Sequence, residues 1–417
     1  MNRAMPLIEL HIGAIAAGGG CVARAEDGRV VFVRHALPGE RVAAAVTAET
    51  TSFLRADAVE ILEASPDRVE PPCRYAGPGR CGGCDWQHID LAVQRTLKAE
   101  LVAEQLRRIA SVDSGVTVEE VPGAPIGLGW RTHVRFAVDR DGRVGLRRHR
   151  SHDIEPIDRC LIATAEVEAI AVERIQWPGA NEVDVRASPD DGARVVSVSS
   201  GRKRLRAVPR VDAGLVVNGR TRHGPDCVHF DVLHRSYRVT AGSFWQVHPG
   251  AAPLLAQVVL DVLEPKTGDH VLDLFAGVGL FTALIGDAVG PSGSVLAVER
   301  DRRACADARH NVVDLDQVEI RKASVSPALI AEHVGRPDLV VLDPAREGAG
   351  RPVMAALAGL DPTPRRIAYV SCDPASFARD LRVMLDAGWT LPVLRAFDLF
   401  PMTEHVELIG VLEPPAR

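Results

Sequence analysis

From Leu254 to the C-terminus, apolar runs of strand length alternate with stretches of helical spacing. Leu254 to Leu263 reads as a helix. His270 to Leu274 then reads as the first strand, Ser294 to Glu299 as the second, Asp338 to Asp343 as the fourth and Arg366 to Val370 as the fifth. Apolar runs with helices between them fold as a parallel sheet covered on both faces. Such a sheet binds ligands in the crevice beyond the carboxyl ends of its strands. The residues on which each run stops are therefore where chemistry is to be sought.

Strand one stops at Asp273-Leu274-Phe275-Ala276-Gly277-Val278-Gly279, a glycine-rich turn opening a helix. The third glycine of a dinucleotide fingerprint is missing, because position 282 is Thr282. Glu299, closing strand two, could grip both hydroxyls of a ribose, and an acid before the glycines with this strand-two acid resembles the S-adenosylmethionine fold more than a nicotinamide one. Strand four stops at Asp343-Pro344-Ala345-Arg346, where proline stiffens the turn beside a carboxylate. Strand five stops at Ser371-Cys372-Asp373-Pro374, which places one cysteine on a strand-to-helix turn. Glu407 brings a further carboxylate near the end of the chain, and His405 reads as a hydrogen-bonded structural histidine rather than a base. Upstream, Ser243-Phe244-Trp245-Gln246 offers an amide able to donate and accept at once.

Residues 7 to 62 turn and alternate like five short strands of an OB-like barrel. Cys73, Cys81 and Cys84 follow, the last two in a Cys-Gly-Gly-Cys turn, and Cys160 is the candidate fourth thiolate. Zinc and an iron–sulfur cluster both accept four thiolates, and spacing does not separate them. Cys21, Cys227 and Cys305 have no partner at ligand spacing and read as structural. Residues 91 to 110 show helical spacing, and the chain from about 128 to 240 is largely strand-like, interrupted by a helical insert at Ala163 to Ile175. That middle region carries two basic stretches, Arg143 to Arg150 and Gly201 to Arg210. The net charge of −6 makes any RNA surface a local patch on an acidic body. No apolar run approaches the roughly 20 residues of a membrane span, and no secretory signal is visible. The expectation is a cytoplasmic chain with reduced thiols, no membrane association and a monomeric state.

Taken together, SFWQVHPG, DLFAGVGLFT, DPAREGAG, SCDPASFARD and DLFPMTEHVE resemble the RNA 5-methyluridine (uracil-5-) methyltransferases. Gly18-Gly19-Gly20, Val30-Val31-Phe32-Val33 and Ala36-Leu37-Pro38-Gly39-Glu40 resemble a TRAM domain, and with the cysteines they resemble the ribosomal-RNA-type branch that carries an iron–sulfur cluster. The resemblance implies an α/β chain in three parts. These are an OB-like TRAM barrel at 1–66, a mostly-β domain with the cluster at 67–235, and a class I, Rossmann-like S-adenosylmethionine-dependent methyltransferase domain at 236–417. The helix at 91–110 is expected to pack on the catalytic domain. Cys372 is implied as the nucleophile and Glu407 as the general base, while Gln246, Phe275, Glu299 and Asp343 line the site for S-adenosyl-L-methionine and uracil. Cys73, Cys81, Cys84 and Cys160 would hold a 4Fe-4S cluster, with zinc the alternative. The partner implied is RNA, 23S ribosomal RNA ahead of transfer RNA; a different class of reading is a non-catalytic, redox-sensing RNA-binding protein. Three departures from the branch stand out: a long interval between Cys73 and Cys81, Leu280 where a polar residue is usual, and Ala323-Ser324 after strand three.

Overall fold

A computed structural model describes residues 7–201, 205, 209–333 and 337–415. Strands β1 (Leu7–His11), β2 (Cys21–Arg24), β3 (Val30–Arg34), β4 (Arg41–Glu49) and β5 (Phe53–Glu63) form one five-stranded sheet in the order β1-β4-β5-β3-β2. Its core is small and aliphatic, built on Leu10, Val31, Val33, Val42 and Ala56 from alternating strand positions. The cysteine loop follows, then α1 (Leu91–Gln105), capped by the Asp90 carboxylate, which accepts from the Ala92 N–H. A short π-helical turn, Leu106–Ala110, ends it.

The middle region is a seven-stranded sheet with the order β13-β12-β11-β10-β7-β8-β9. Its strands are β7 (His133–Val138), β8 (Val144–Arg147), β9 (Ile154–Pro156), β10 (Glu182–Ala187), β11 (Arg194–Ser199), β12 (Gly214–Val217) and β13 (Arg220–His223). The helical insert expected over Ala163 to Ile175 is two short turns, α2 (Ala165–Glu168) and a 3-10 turn at Val172–Arg174. The left-handed Ala171 between them stops a continuous helix. Of the second basic stretch, Arg202, Lys203, Arg204 and Arg206 lie outside the described residues, and Arg210 is exposed.

The C-terminal sheet has eight strands in the order β18-β17-β16-β19-β20-β22-β21-β6. It comprises β16 (His270–Leu274), β17 (Ser294–Glu299), β18 (Val318–Lys322), β19 (Leu339–Leu342), β20 (Arg366–Ser371), β21 (Thr390–Asp398), β22 (Glu407–Glu413) and the distant β6 (Val118–Glu120). Leu339 and Val341 face one side with α3 (Ala251–Leu263) and α4 (Leu280–Val289), while Val340 and Leu342 face the other. That is why β19 is buried at every position and reads as an unbroken apolar run. Helices α5 (Arg302–Asn311), α6 (Pro327–His333), α7 (Arg351–Ala358) and α8 (Pro374–Asp386) complete the layers. A hairpin of β14 (Cys227–Val232) and β15 (Arg235–Thr240) straddles residue 235 and shares the C-terminal sheet's core through Val228, Phe230 and Tyr237.

The segment 91–120 also belongs with this sheet. Helix α1 is anchored by the fully buried Lys98, whose Nζ lies 2.5 Å from Asp398 at the end of β21 and 3.0 Å from the Phe400 carbonyl. Arg395 binds Glu119 in a bidentate pair at 2.8 and 2.6 Å, which seats β6 on β21.

Candidate active site

The first, fourth and fifth parallel strands deliver their last residues to one crevice, at the point where strand order reverses between β16 and β19. Leu274 pairs with Leu342, so Phe275 and Asp343 are the next residues on the two strands, and the Asp343 N–H reaches the Leu274 carbonyl at 3.3 Å. Strand β20 runs antiparallel to β22, and its last pair is Ser371 with Leu408. One further step along that register sets Cys372 opposite Glu407.

Cys372 precedes the N-cap of α8, where Asp373 accepts from the Ser376 N–H at 2.7 Å and Pro374 opens the first turn. The buried face of α8, with Phe377, Ala378, Leu381 and Met384, holds this turn against the sheet. The positive end of α8 favours a thiolate. Burial opposes it, and with the neighbouring Glu407 and Asp343 charges pushes the thiol up to about 12. Glu407 is 2% exposed, and burial, then Asp343, raises its carboxyl well above the usual range. Burial, then Asp273, pushes Asp343 up to about 7. Arg346 is the cation that opposes these effects at both Cys372 and Glu407. Its Nη2 donates to His405 Nε2 at 3.0 Å, so His405 is an acceptor that aims the guanidinium. The sequence reading left Arg346 without a role, although it lies three residues beyond Asp343 in the same turn.

On the cofactor side Asp273 is buried and accepts from Thr282 Oγ1 at 2.5 Å, while burial raises its carboxyl to about 7. Glu299 accepts from the N–H groups of Gly277 (3.0 Å) and Asp301 (2.7 Å). Gly277 has φ 57°, and a Cβ built there would meet nothing within 4 Å, so the turn borders open space. Leu280 is packed in the core, and the Ala323 N–H donates to the Glu299 carbonyl. Gln246 is buried on the loop between β15 and α3, two residues after Phe244, which is 67% exposed. Among the described residues no hydrogen bond joins Gln246 to Asp343, Cys372 or Glu407. Its loop is tied elsewhere: the Ser243 carbonyl accepts from Arg186 and Ser243 Oγ donates to the buried Asp307.

The second cluster lies in the middle region. Cys73, Cys81, Cys84 and Cys160 border one pocket together with Ile157, Leu161 and Ile162. Gly82 is required in the loop, because a Cβ there would sit 2.7 Å from the His149 backbone. That backbone belongs to the basic stretch: the Gly82 N–H donates to the Arg147 carbonyl, and His149 and Arg34 both face Asp85. Burial, followed by the charges of the other thiols, pushes Cys81 up to about 11, and Cys84 is raised by burial and then Cys160. Among the described residues no three Cys, His, Asp or Glu side chains converge at the spacing of one metal ion.

Comparison with known proteins separates the chain's regions. Residues 8–59 match the TRAM domain, and residues 232–326 match the protein-L-isoaspartate (D-aspartate) O-methyltransferase family. The latter span holds β16, β17 and the glycine turn and stops before Asp343. An uncharacterized RNA methyltransferase of Streptomyces coelicolor is 48% identical over 98% of this chain and 93% of its own length. The 23S rRNA (uracil(1939)-C(5))-methyltransferase RlmD of Acidithiobacillus ferrooxidans is 31% identical over 97% of each chain. This chain belongs to the TRAM-containing RNA uracil-5 methyltransferase family. The fold is shared with the Pyrococcus abyssi tRNA (uracil-54, C5)-methyltransferase, solved with S-adenosyl-L-homocysteine, at TM-score 0.69, covering 96% of this chain and 99% of that one, with 22% identity.

The chain is thus an S-adenosylmethionine-dependent RNA methyltransferase, and its crevice fits that cofactor. An open glycine turn beside the Glu299 carboxylate suits a ribose, and the acidic Asp273 and Asp343 suit a cation. The cysteine pocket also fits a bound group, because four thiols lining an apolar pocket repel one another once ionised and need a cationic centre to offset this. No helix among the described residues is long and apolar enough to cross a membrane.

Proposed function

We propose that this methyltransferase acts on carbon 5 of a uridine in 23S ribosomal RNA through a covalent adduct to Cys372. The observation that carries the reading is the β20–β22 register, which sets Cys372 across from Glu407 at the edge where Asp343 also ends its strand. Carbon 5 of uracil is a weak nucleophile within a conjugated ring. Cys372 Sγ adds to carbon 6, breaks that conjugation and leaves an enolate with electron density on carbon 5. S-adenosylmethionine supplies an electrophilic methyl on a sulfonium cation, whose charge favours the ionised forms of the thiol and the carboxyls around it. Asp343 and Gln246 hold the uracil's polar edge, and Phe275 and Glu299 hold the cofactor. Arg346 supplies the positive charge that steadies the enolate oxygen. Once carbon 5 is substituted, Glu407 takes its proton, the electrons return to the ring, and the carbon 6–sulfur bond breaks. A stacked target base must leave its stack to reach this crevice.

Ribosomal RNA is favoured because the relative named for 23S rRNA matches along the whole chain; transfer RNA is the second reading. For the cysteine pocket we propose a 4Fe-4S cluster on Cys73, Cys81, Cys84 and Cys160, since the thiols border a pocket rather than closing on a point. A zinc ion would need all four sulfurs at about 2.3 Å from one centre. RNA containing 5-fluorouridine, incubated with the chain and S-adenosylmethionine, should trap a covalent adduct that Cys372→Ala fails to form. Equal trapping by Cys372→Ala would remove Cys372 from the role. Protein purified without oxygen should be brown and absorb in the visible; colourless protein with stoichiometric zinc would refute the cluster.

A further inference from the structure

The tip of the β12–β13 hairpin reaches from the middle sheet onto α5, and one arginine lies at the contact. A Cβ built on Gly219, in the Asn218-Gly219 turn of that hairpin, would sit 2.9 Å from Arg303 Nη2. One built on Gly242, at the start of the loop that carries Gln246, would sit 2.6 Å from Arg303 Nη1. Both glycines have positive φ, 73° and 91°, and the two backbones close on the guanidinium because neither carries a side chain. Arg303 is nonetheless exposed, and among the described residues only its backbone N–H is bonded, to Asp301; the guanidinium has no acceptor. Ordering a long side chain costs rotamer freedom, and nothing in the protein offsets that cost here. The acids of this region are engaged elsewhere: Asp301 caps α5, and the buried Asp307 accepts from Arg238, Thr240 and Ser243. Arg220 and Arg222 of β13 are exposed too and have no ion pair among the described residues. Of the acids flanking that hairpin, Asp212 faces Arg194 and Asp226 accepts from Thr221.

We propose that Arg303, with Arg220 and Arg222 of the adjoining strand, seats backbone phosphates of the RNA that enters the crevice. The inference rests on the chain's acting on RNA and not on the chemistry assigned to Cys372. A guanidinium wedged between two backbones with its N–H groups unspent presents the fork that fits two oxygens of a phosphate. All three groups are cations that donate and never accept, so they suit the phosphate chain and read no base. The place suits a strand approaching the site. Arg303 lies four residues past Glu299, at the carboxyl edge of the C-terminal sheet, and Gly242 opens the loop that carries Gln246. On a chain of net charge −6, a local set of unpaired arginines is what a polyanion needs in order to land.

The test is the salt dependence with which the full chain binds a fluorescein-labelled oligouridine, followed by anisotropy from about 0.05 to 0.5 M potassium chloride. Each phosphate contact to a single strand steepens the plot of log affinity against log salt by about 0.7. Arg303→Gln should make the plot shallower by about that amount and weaken binding about fivefold at 0.1 M salt. Arg220→Ala/Arg222→Ala should flatten it by about twice as much. Arg382→Gln, which removes an exposed arginine of α8 already paired with Asp386, should leave the slope unchanged. S-adenosylhomocysteine should bind the wild type and every variant equally. An unchanged slope in Arg303→Gln, or an equal loss of slope in Arg382→Gln, would overturn the proposal. So would weaker S-adenosylhomocysteine binding by Arg303→Gln, which would assign the arginine to the cofactor instead. A shallower slope in a chain that traps no 5-fluorouridine would remove only the role of Cys372; an unchanged slope with intact trapping would sink the phosphate seat alone.

Discussion

The catalytic crevice and the cysteine pocket each gather buried ionisable side chains, but by different means. In the crevice, Asp343, Cys372 and Glu407 stand at the ends of neighbouring strands, so backbone ladders fix their mutual positions before any side chain is considered. In the pocket, Cys73, Cys81 and Cys84 lie in a loop and Cys160 beyond β9, with no strand pairing between them. A site built on a sheet edge is preorganised and tolerates loss of its ligand; a site built on loops depends on the bound group to hold it together. Emptying the pocket should therefore loosen the protein, whereas emptying the crevice should leave its geometry intact.

The largest effect that sharpens this contrast is expected from Glu407→Gln. It should cut turnover by about 10³-fold while the Cys372 adduct still forms and accumulates, as seen by a gel-shifted RNA–protein band. Loss of the adduct together with turnover would mean that Glu407 shapes the crevice rather than removing a proton. Next in size is Lys98→Met, which strands the Asp398 carboxylate in the core. A loss of about 3–5 kcal/mol in urea unfolding is expected, partly recovered in Lys98→Met/Asp398→Asn. No recovery in the double variant would show that Lys98 acts by packing and not by charge. The smallest effect concerns the thiol itself. With Cys372 pushed up to about 12, its alkylation by iodoacetamide should rise about tenfold per pH unit from 7 to 10 without a plateau. S-adenosylmethionine should accelerate alkylation at pH 8 about tenfold, and S-adenosylhomocysteine, which lacks the positive charge, should not. A plateau near pH 8 in the free protein would mean that the helix end and Arg346 outweigh burial.

The parts of the molecule that were legible in sequence are those ruled by local patterns. The unbroken apolar run at Leu339–Leu342 and the punctuation at Asp273, Glu299, Asp343 and Cys372 mark both strands and strand ends. Strand β6 was not legible, since three residues hold no period and its partner β21 lies 276 residues away at the Arg395–Glu119 pair. The hairpin across residue 235 was missed for a similar reason: alternation marks its strands but not the surface they cover. Arg346 was overlooked because a lone arginine in a turn has no spacing signature; its setting beside Cys372 and Glu407 exists only once three strands are side by side.

The turn between β21 and β22 is clasped from three directions: Trp86 of the cysteine loop donates to the Met402 carbonyl, Gln94 of α1 accepts from the Met402 N–H, and Gly19 of the barrel lies against Glu404. Residues 236–417 cut free of the rest would keep every strand-end side chain of the crevice yet lose this clasp and the Lys98 partner of the Asp398 carboxylate. Gene truncation or domain shuffling thus has no clean seam at which to release the catalytic part, and the shortest fragment worth expressing begins before Trp86.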